Sequence, residues 1–174
     1  MKKELIDYLS FKRKYLNDVK KVFEKTSLKE AIEKAAKAED LTNNGKMFSH
    51  QRRIGSKKAS EGYKKLKDKE EDFRVCNTFE DIMLITNKVM MDIYRLGPLW
   101  SYDTALRIGF HLKVYPSDVY IQAGVVKGLK KYYPHLKPQR KIAKSDFIGL
   151  ESLEPYEIEN FLCVFGGKRN KPIC

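Results

Sequence analysis

Residues 95–101 read Arg-Leu-Gly-Pro-Leu-Trp-Ser, a glycine–proline break set between two stretches of helical character. Upstream, Phe79, Ile82, Met83, Ile85, Val89, Met90 and Ile93 recur at the three- and four-residue intervals that line one helix face. Asn77 or Thr78 stands where the N-cap of that helix belongs. Downstream, a second helix is expected over about 101–112. Two helices joined so tightly must lie against each other as a hairpin.

The remaining segments carry similar punctuation. Leu5, Leu9, Tyr15, Leu16, Val19, Val22 and Phe23 mark an amphipathic N-terminal helix. Ser27-x-x-Glu30 is a capping-box signature opening a helix to about residue 38, which Asn43-Asn44-Gly45 ends with residues that tolerate positive φ. Residues 47–54 form a short element of unassigned type. Residues 56–72 are mostly polar, with Tyr63 and Leu66 as anchors, and read as a helix with a mobile end. Pro116-Ser117 reads as stop and cap, placing Asp118 in the first turn of a helix to about residue 133. Gly124 and Gly128, four apart on that helix, suggest a close helix crossing, since each costs about 1 kcal/mol there. Pro134 and Pro138 then break the chain, Pro155 opens a last helix through Cys163, and Gly166-Gly167-Lys168-Arg169 forms a basic tail. Alternating strand patterns are nearly absent. The expected fold is all-α, a single domain over 1–174 in which N-terminal helices (1–75) pack on a helix-hairpin-helix core (76–174).

Charge narrows the partner. A net charge of +12 favours polyanions, although a solvated lysine-rich surface gives the same total. The distribution favours a partner. Lys127, Lys130, Lys131, Lys137, Arg140, Lys141 and Lys144 follow one another without an acid until Asp146, interleaved with Tyr132, Tyr133 and His135. No apolar run approaches the roughly 20 residues that cross a bilayer, so no membrane partner is expected. Cys76, Cys163 and Cys174 are odd in number and widely spaced, which suggests neither a disulfide framework nor a thiolate metal site. His111 and His135 lack metal-ligand spacing, so no metal or cofactor is expected, and the cytoplasm is the expected location.

On the residues Arg95–Ser101 and Asp118, the central segment (about 79–133) resembles the helix-hairpin-helix DNA glycosylase superfamily. Its G-h-G turn lets backbone N–H groups approach a phosphate; here Gly97 keeps one glycine and Arg95 stands at the other. Ser101 falls where that motif wants a small residue. Leu99 stands where lyase-type members carry a catalytic lysine, and Asp118 falls at the distance of their aspartate. The resemblance therefore implies a monofunctional enzyme, with Asp118 stabilising oxocarbenium character while a flipped base departs. It also suggests a monovalent cation bridging hairpin carbonyls to phosphate, while the cysteine spacing excludes the family's iron–sulfur cluster. Residues 102–109 also resemble a segment of small bacterial proteins of unknown function.

The candidate interface to nucleic acid, taken as double-stranded DNA, is thus Arg95, Gly97, Leu99, Ser101, Lys127, Lys130, Lys131, Arg140 and Lys141. Candidates for a base pocket are Trp100, Tyr102, Tyr120, Gln122 and His50. Each has a plainer reading. Asp118 can decorate a helix N-terminus, Trp100 can plug the core, Asp103 and Arg107 at i, i+4 can form an ion pair, and His50 can be structural. Two alternatives stay open beside DNA binding with base excision: a non-catalytic DNA-binding or partner-recruiting module, and an enzyme on a small nucleotide or RNA.

Overall fold

The computed structural model describes residues 1–167. They are mostly helical, interrupted by two small two-stranded antiparallel sheets. The chain forms two compact units, one of Asp18–Tyr115 and one of Met1–Asn17 with the chain from Pro116 onward. The expected division at residue 75 is not observed. The first residues belong with the C-terminal half because Tyr8 is fully buried in its core and Arg13 pairs with Glu157 there.

After α1 (Lys2–Asp7), α2 (Arg13–Glu24) carries the chain at Asp18 into the Asp18–Tyr115 unit and leads to α3 (Leu28–Ala36), whose cap is the expected one: the Ser27 hydroxyl accepts from the Glu30 N–H at 3.2 Å. Leu28, Ala31, Ile32, Ala35 and Ala36 form its buried face. Asn44 and Gly45, at φ 52° and 70°, turn the chain between β1 (Glu39–Asp40) and β2 (Lys46–Met47). A single 3₁₀ turn, Ser49–Gln51, follows. The polar stretch expected to have a mobile end contains α4 (Ser56–Leu66) and the start of α5 (Glu70–Arg74), which is anchored by the buried Phe73.

Thr78 closes a full capping box with Asp81 on α6 (Phe79–Asp92). After a short turn, α7 (Pro98–Leu112) runs buried from Trp100 to Phe110, with α3 and α6 packed on it. The Trp100 indole N–H donates to the Ala36 carbonyl at 2.8 Å, satisfying one of the orphan acceptors at the end of α3. Gly62 of α4 sits so near the indole that a Cβ there would lie 2.5 Å from its ring.

The other unit is built on α9 (Pro155–Gly166), buried from Pro155 to Phe165. A strand stands where a helix from Asp118 was expected: β3 (Asp118–Tyr120) pairs with β4 (Lys141–Ala143), setting Val119 opposite Ile142. The β-branched and aromatic run Val119-Tyr120-Ile121 suits that pairing, and α8 begins only at Val126 and ends at Tyr132. Gly128 does mark a close crossing, because a Cβ there would strike the Leu162 backbone of α9. Gly124 does not; it lies exposed before the helix. Cys163 is buried in the core of this unit. Among the described residues, no helix is long and apolar enough to cross a membrane. Lys168 and Arg169 of the expected basic tail lie outside the described residues.

Candidate nucleic-acid interface and a buried polar cluster

The connection from α6 to α7 is pinned from beneath. Ile93 and Leu96 are buried, and the Leu96 N–H donates to the Ile93 carbonyl at 3.1 Å. Between them Tyr94 and Arg95 face solvent, with Arg95 in the left-handed region at φ 76°. The position where the hairpin motif would carry its other glycine thus has the backbone that glycine adopts most easily. Gly97, by contrast, has an ordinary extended conformation as N-cap of α7, and a Cβ there would meet nothing within 4 Å. Leu99 is half-buried. Ser101 is fully buried, its hydroxyl 2.8 Å from Thr86 Oγ1 and 2.9 Å from Asn87 Oδ1, so it seats α7 on α6 and offers no surface to a phosphate.

The aromatic candidates for a base pocket are core residues. Trp100 is fully enclosed, Tyr102 packs edge-on to Phe79 at 6.0 Å between centroids, and Tyr120 is buried with Lys141 over its ring at 5.8 Å. Gln122 is half-buried just beyond β3, so it does not share a helix face with Asp118. The one aromatic at the hairpin that faces water is Tyr94, which periodicity did not single out.

Asp118 lies in the other unit, half-buried on β3, with Lys141 Nζ 3.3 Å from Oδ2. It therefore lacks the positive helix end that its expected position supplied. The cationic segment of the same unit is displayed at the surface. Lys127, Lys130 and Lys131 are exposed on α8, and Lys137 and Arg140 are exposed in the connection to β4. Lys131 donates to the Phe165 carbonyl at 3.0 Å, and Lys144 approaches Glu154 at 4.0 Å. Lys127, Lys130, Lys137 and Arg140 have no ion pair among the described residues. Of the interleaved rings, Tyr133 belongs to the core, donating to the Ile148 carbonyl at 3.0 Å; burial, aided by the charge of Glu151, pushes its hydroxyl up to about 12.

Comparison with protein-family models, with curated proteins and with solved structures finds no match for this chain.

A second constellation occupies the Asp18–Tyr115 unit. The expected Asp103–Arg107 pair forms at 3.4 Å along α7, and it is buried. His50 and Gln51 of the 3₁₀ turn close on the same carboxylate: His50 Nε2 lies 2.7 Å from Asp103 Oδ2, and the Gln51 amide donates to that oxygen. The Arg107 guanidinium also lies 4.0 Å from the centre of the Phe48 ring. Burial raises the affinity of Asp103 for a proton, but the charges of Arg107 and His50, with hydrogen bonds from His50 and Gln51, outweigh it and hold the carboxyl below its ordinary range. Among the described residues, His50 Nδ1 and Gln51 Oε1 are buried without hydrogen-bond partners. The cluster joins a loop to a helix across about fifty positions, so local pattern exposes only its Asp103–Arg107 half. His50 lies in the Asp18–Tyr115 unit, while Asp118 and Gln122 belong to the other. Among the described residues no group of three or more His, Cys, Asp or Glu side chains is placed to hold a metal.

Proposed function

We propose that this protein binds nucleic acid, with double-stranded DNA as the first substrate to test, through the cationic surface of α8 and the connection to β4. The supporting observation is that Lys127, Lys130, Lys137 and Arg140 are exposed and have no ion pair among the described residues. Cations already paired to carboxylates gain little from a phosphate. Unpaired ones release condensed counterions when they meet a polyanion, and that release is the main non-specific driving force. Base excision draws less support. Asp118 is paired with Lys141 and sits on a strand, without the helix terminus on which the glycosylase resemblance relies.

The test is a binding titration on a labelled duplex at several salt concentrations, with Lys127, Lys130, Lys137 and Arg140 changed together to Glu. The parent should bind at low salt with a steep salt slope. The variant should lose that binding, each lost phosphate contact removing about 0.9 from the slope. Equal affinities of parent and variant would retire the reading.

A further inference from the structure

Tyr94 is 85% exposed, more than any other large hydrophobic residue of the described chain, and it sits at a turn whose neighbours leave it little freedom to withdraw. Ile93 and Leu96 are each 7% exposed, so buried anchors flank the two residues that point outward. Arg95 is exposed beside Tyr94. Along α6, Leu84, Lys88 and Met91 recur at four and three residues and thus share one face, which leads to the turn; Leu84 is 57% and Met91 72% exposed. The nearest acid in sequence, Asp92, is already paired with Lys65 at 2.9 Å. The apolar surface of Tyr94 and Met91 therefore comes with the cations Lys88 and Arg95, and without an unpaired carboxylate at the turn.

That pairing of surfaces matches one chemistry closely. An unpaired nucleotide offers a flat base that any aromatic ring can stack on, joined to a phosphate that a guanidinium can hold. A stacked duplex offers its phosphates but keeps its base faces covered. We infer that the α6–α7 turn is a binding site for unpaired nucleotides, with Tyr94 stacking on a base and Arg95 holding the adjoining phosphate. This rests on the proposed nucleic-acid binding and adds selectivity to it: the cationic α8 surface serves any strand, and the turn favours single-stranded or locally opened ones.

The experiment compares a fluorescein-labelled single strand with its matching duplex, using the full chain and the variants Tyr94→Ala, Tyr94→Trp and Arg95→Ala. Both positions changed are at the surface. Tyr94→Ala should weaken single-strand binding about tenfold or more while leaving duplex affinity nearly unchanged, and Tyr94→Trp should restore it. Arg95→Ala should lower the single-strand salt slope by about 1. If Tyr94→Ala binds the single strand as the parent does, or weakens both substrates equally, the inference is overturned. If that happens while the fourfold charge reversal on α8 still abolishes binding, the stacking site alone fails. A parent that binds neither substrate at low salt overturns both readings together.

Discussion

His50 and Asp103, more than fifty positions apart, meet at 2.7 Å where the turn after β2 closes on α7, and both side chains are over nine-tenths buried. A carboxylate has no proton to give, so His50 donates through Nε2, and Asp103 serves His50, Gln51 and Arg107 together. Three side chains thus converge on one buried carboxylate oxygen.

Asp103→Asn should therefore be among the costliest polar changes in the protein. It removes the charge opposite the buried Arg107 guanidinium, and breaking such a pair typically costs about 3–5 kcal/mol. Chemical denaturation of parent and variant measures the difference. A loss below about 1 kcal/mol would show that the cluster relaxes around the amide.

The same carboxylate sets a pH dependence. Its folded-state pKa lies below the unfolded one, so its contribution is complete above the ordinary aspartate value near ~3.9 and is lost as pH falls through the lower folded value. The parent should lose stability toward Asp103→Asn in that acid range, the gap between them narrowing as pH drops. A gap that stays constant would place the acid sensitivity elsewhere.

Trp100 is the single tryptophan of the chain and is fully buried. Its emission should be blue-shifted, resistant to iodide quenching and unchanged when oligonucleotide is added. Quenching on binding would mean that the indole reaches a base after all. Trp100→Phe should cost about 1–3 kcal/mol, because the Ala36 carbonyl loses its donor.

At Gly128 the α8–α9 contact admits no side chain. Gly128→Ala should force the helices apart and lower stability by about 1–3 kcal/mol, read as a drop in thermal midpoint. Gly124→Ala, at an exposed position, should leave the midpoint near the parent's.

Asp118→Asn should change little. Both members of its pair with Lys141 are about a third exposed, at 34% and 36%, and pairs of that kind contribute about 0–1 kcal/mol. Removing the negative charge should hold or slightly raise affinity for a polyanion. A fall in affinity would show that the carboxylate itself touches the ligand.

Features written in neighbouring residues were legible. Ser27 and Thr78 cap the helices they appear to cap, Pro155 opens α9, and Asp103 meets Arg107 one turn away. What escaped was pairing at a distance. Pro116-Ser117-Asp118 has the chemistry of a helix start, yet Val119 and Tyr120 find Ile142 and Lys141 some twenty positions on, and the ladder prevails over local preference. The place of Trp100, readable as base-pocket ring or core plug, was undecided for a similar reason. Periodicity marks a ring as apolar, and only the packing of Ala36 and Gly62 decides which ring is enclosed.

The split unit has a consequence for the order of events as the chain is made. Residues 1–17 leave the ribosome long before α9 exists, so Tyr8 has no core to enter until α9 is made. Asp18–Tyr115, by contrast, makes its internal contacts within one continuous stretch that is complete as soon as it has emerged. Once folded, that unit holds Lys20 Nζ 4.3 Å from the centre of the Tyr115 ring, so its two ends are neighbours. An insertion that would otherwise be a long, entropically expensive loop then acts as a short clasp. The late-made helices find their N-terminal partner already held nearby.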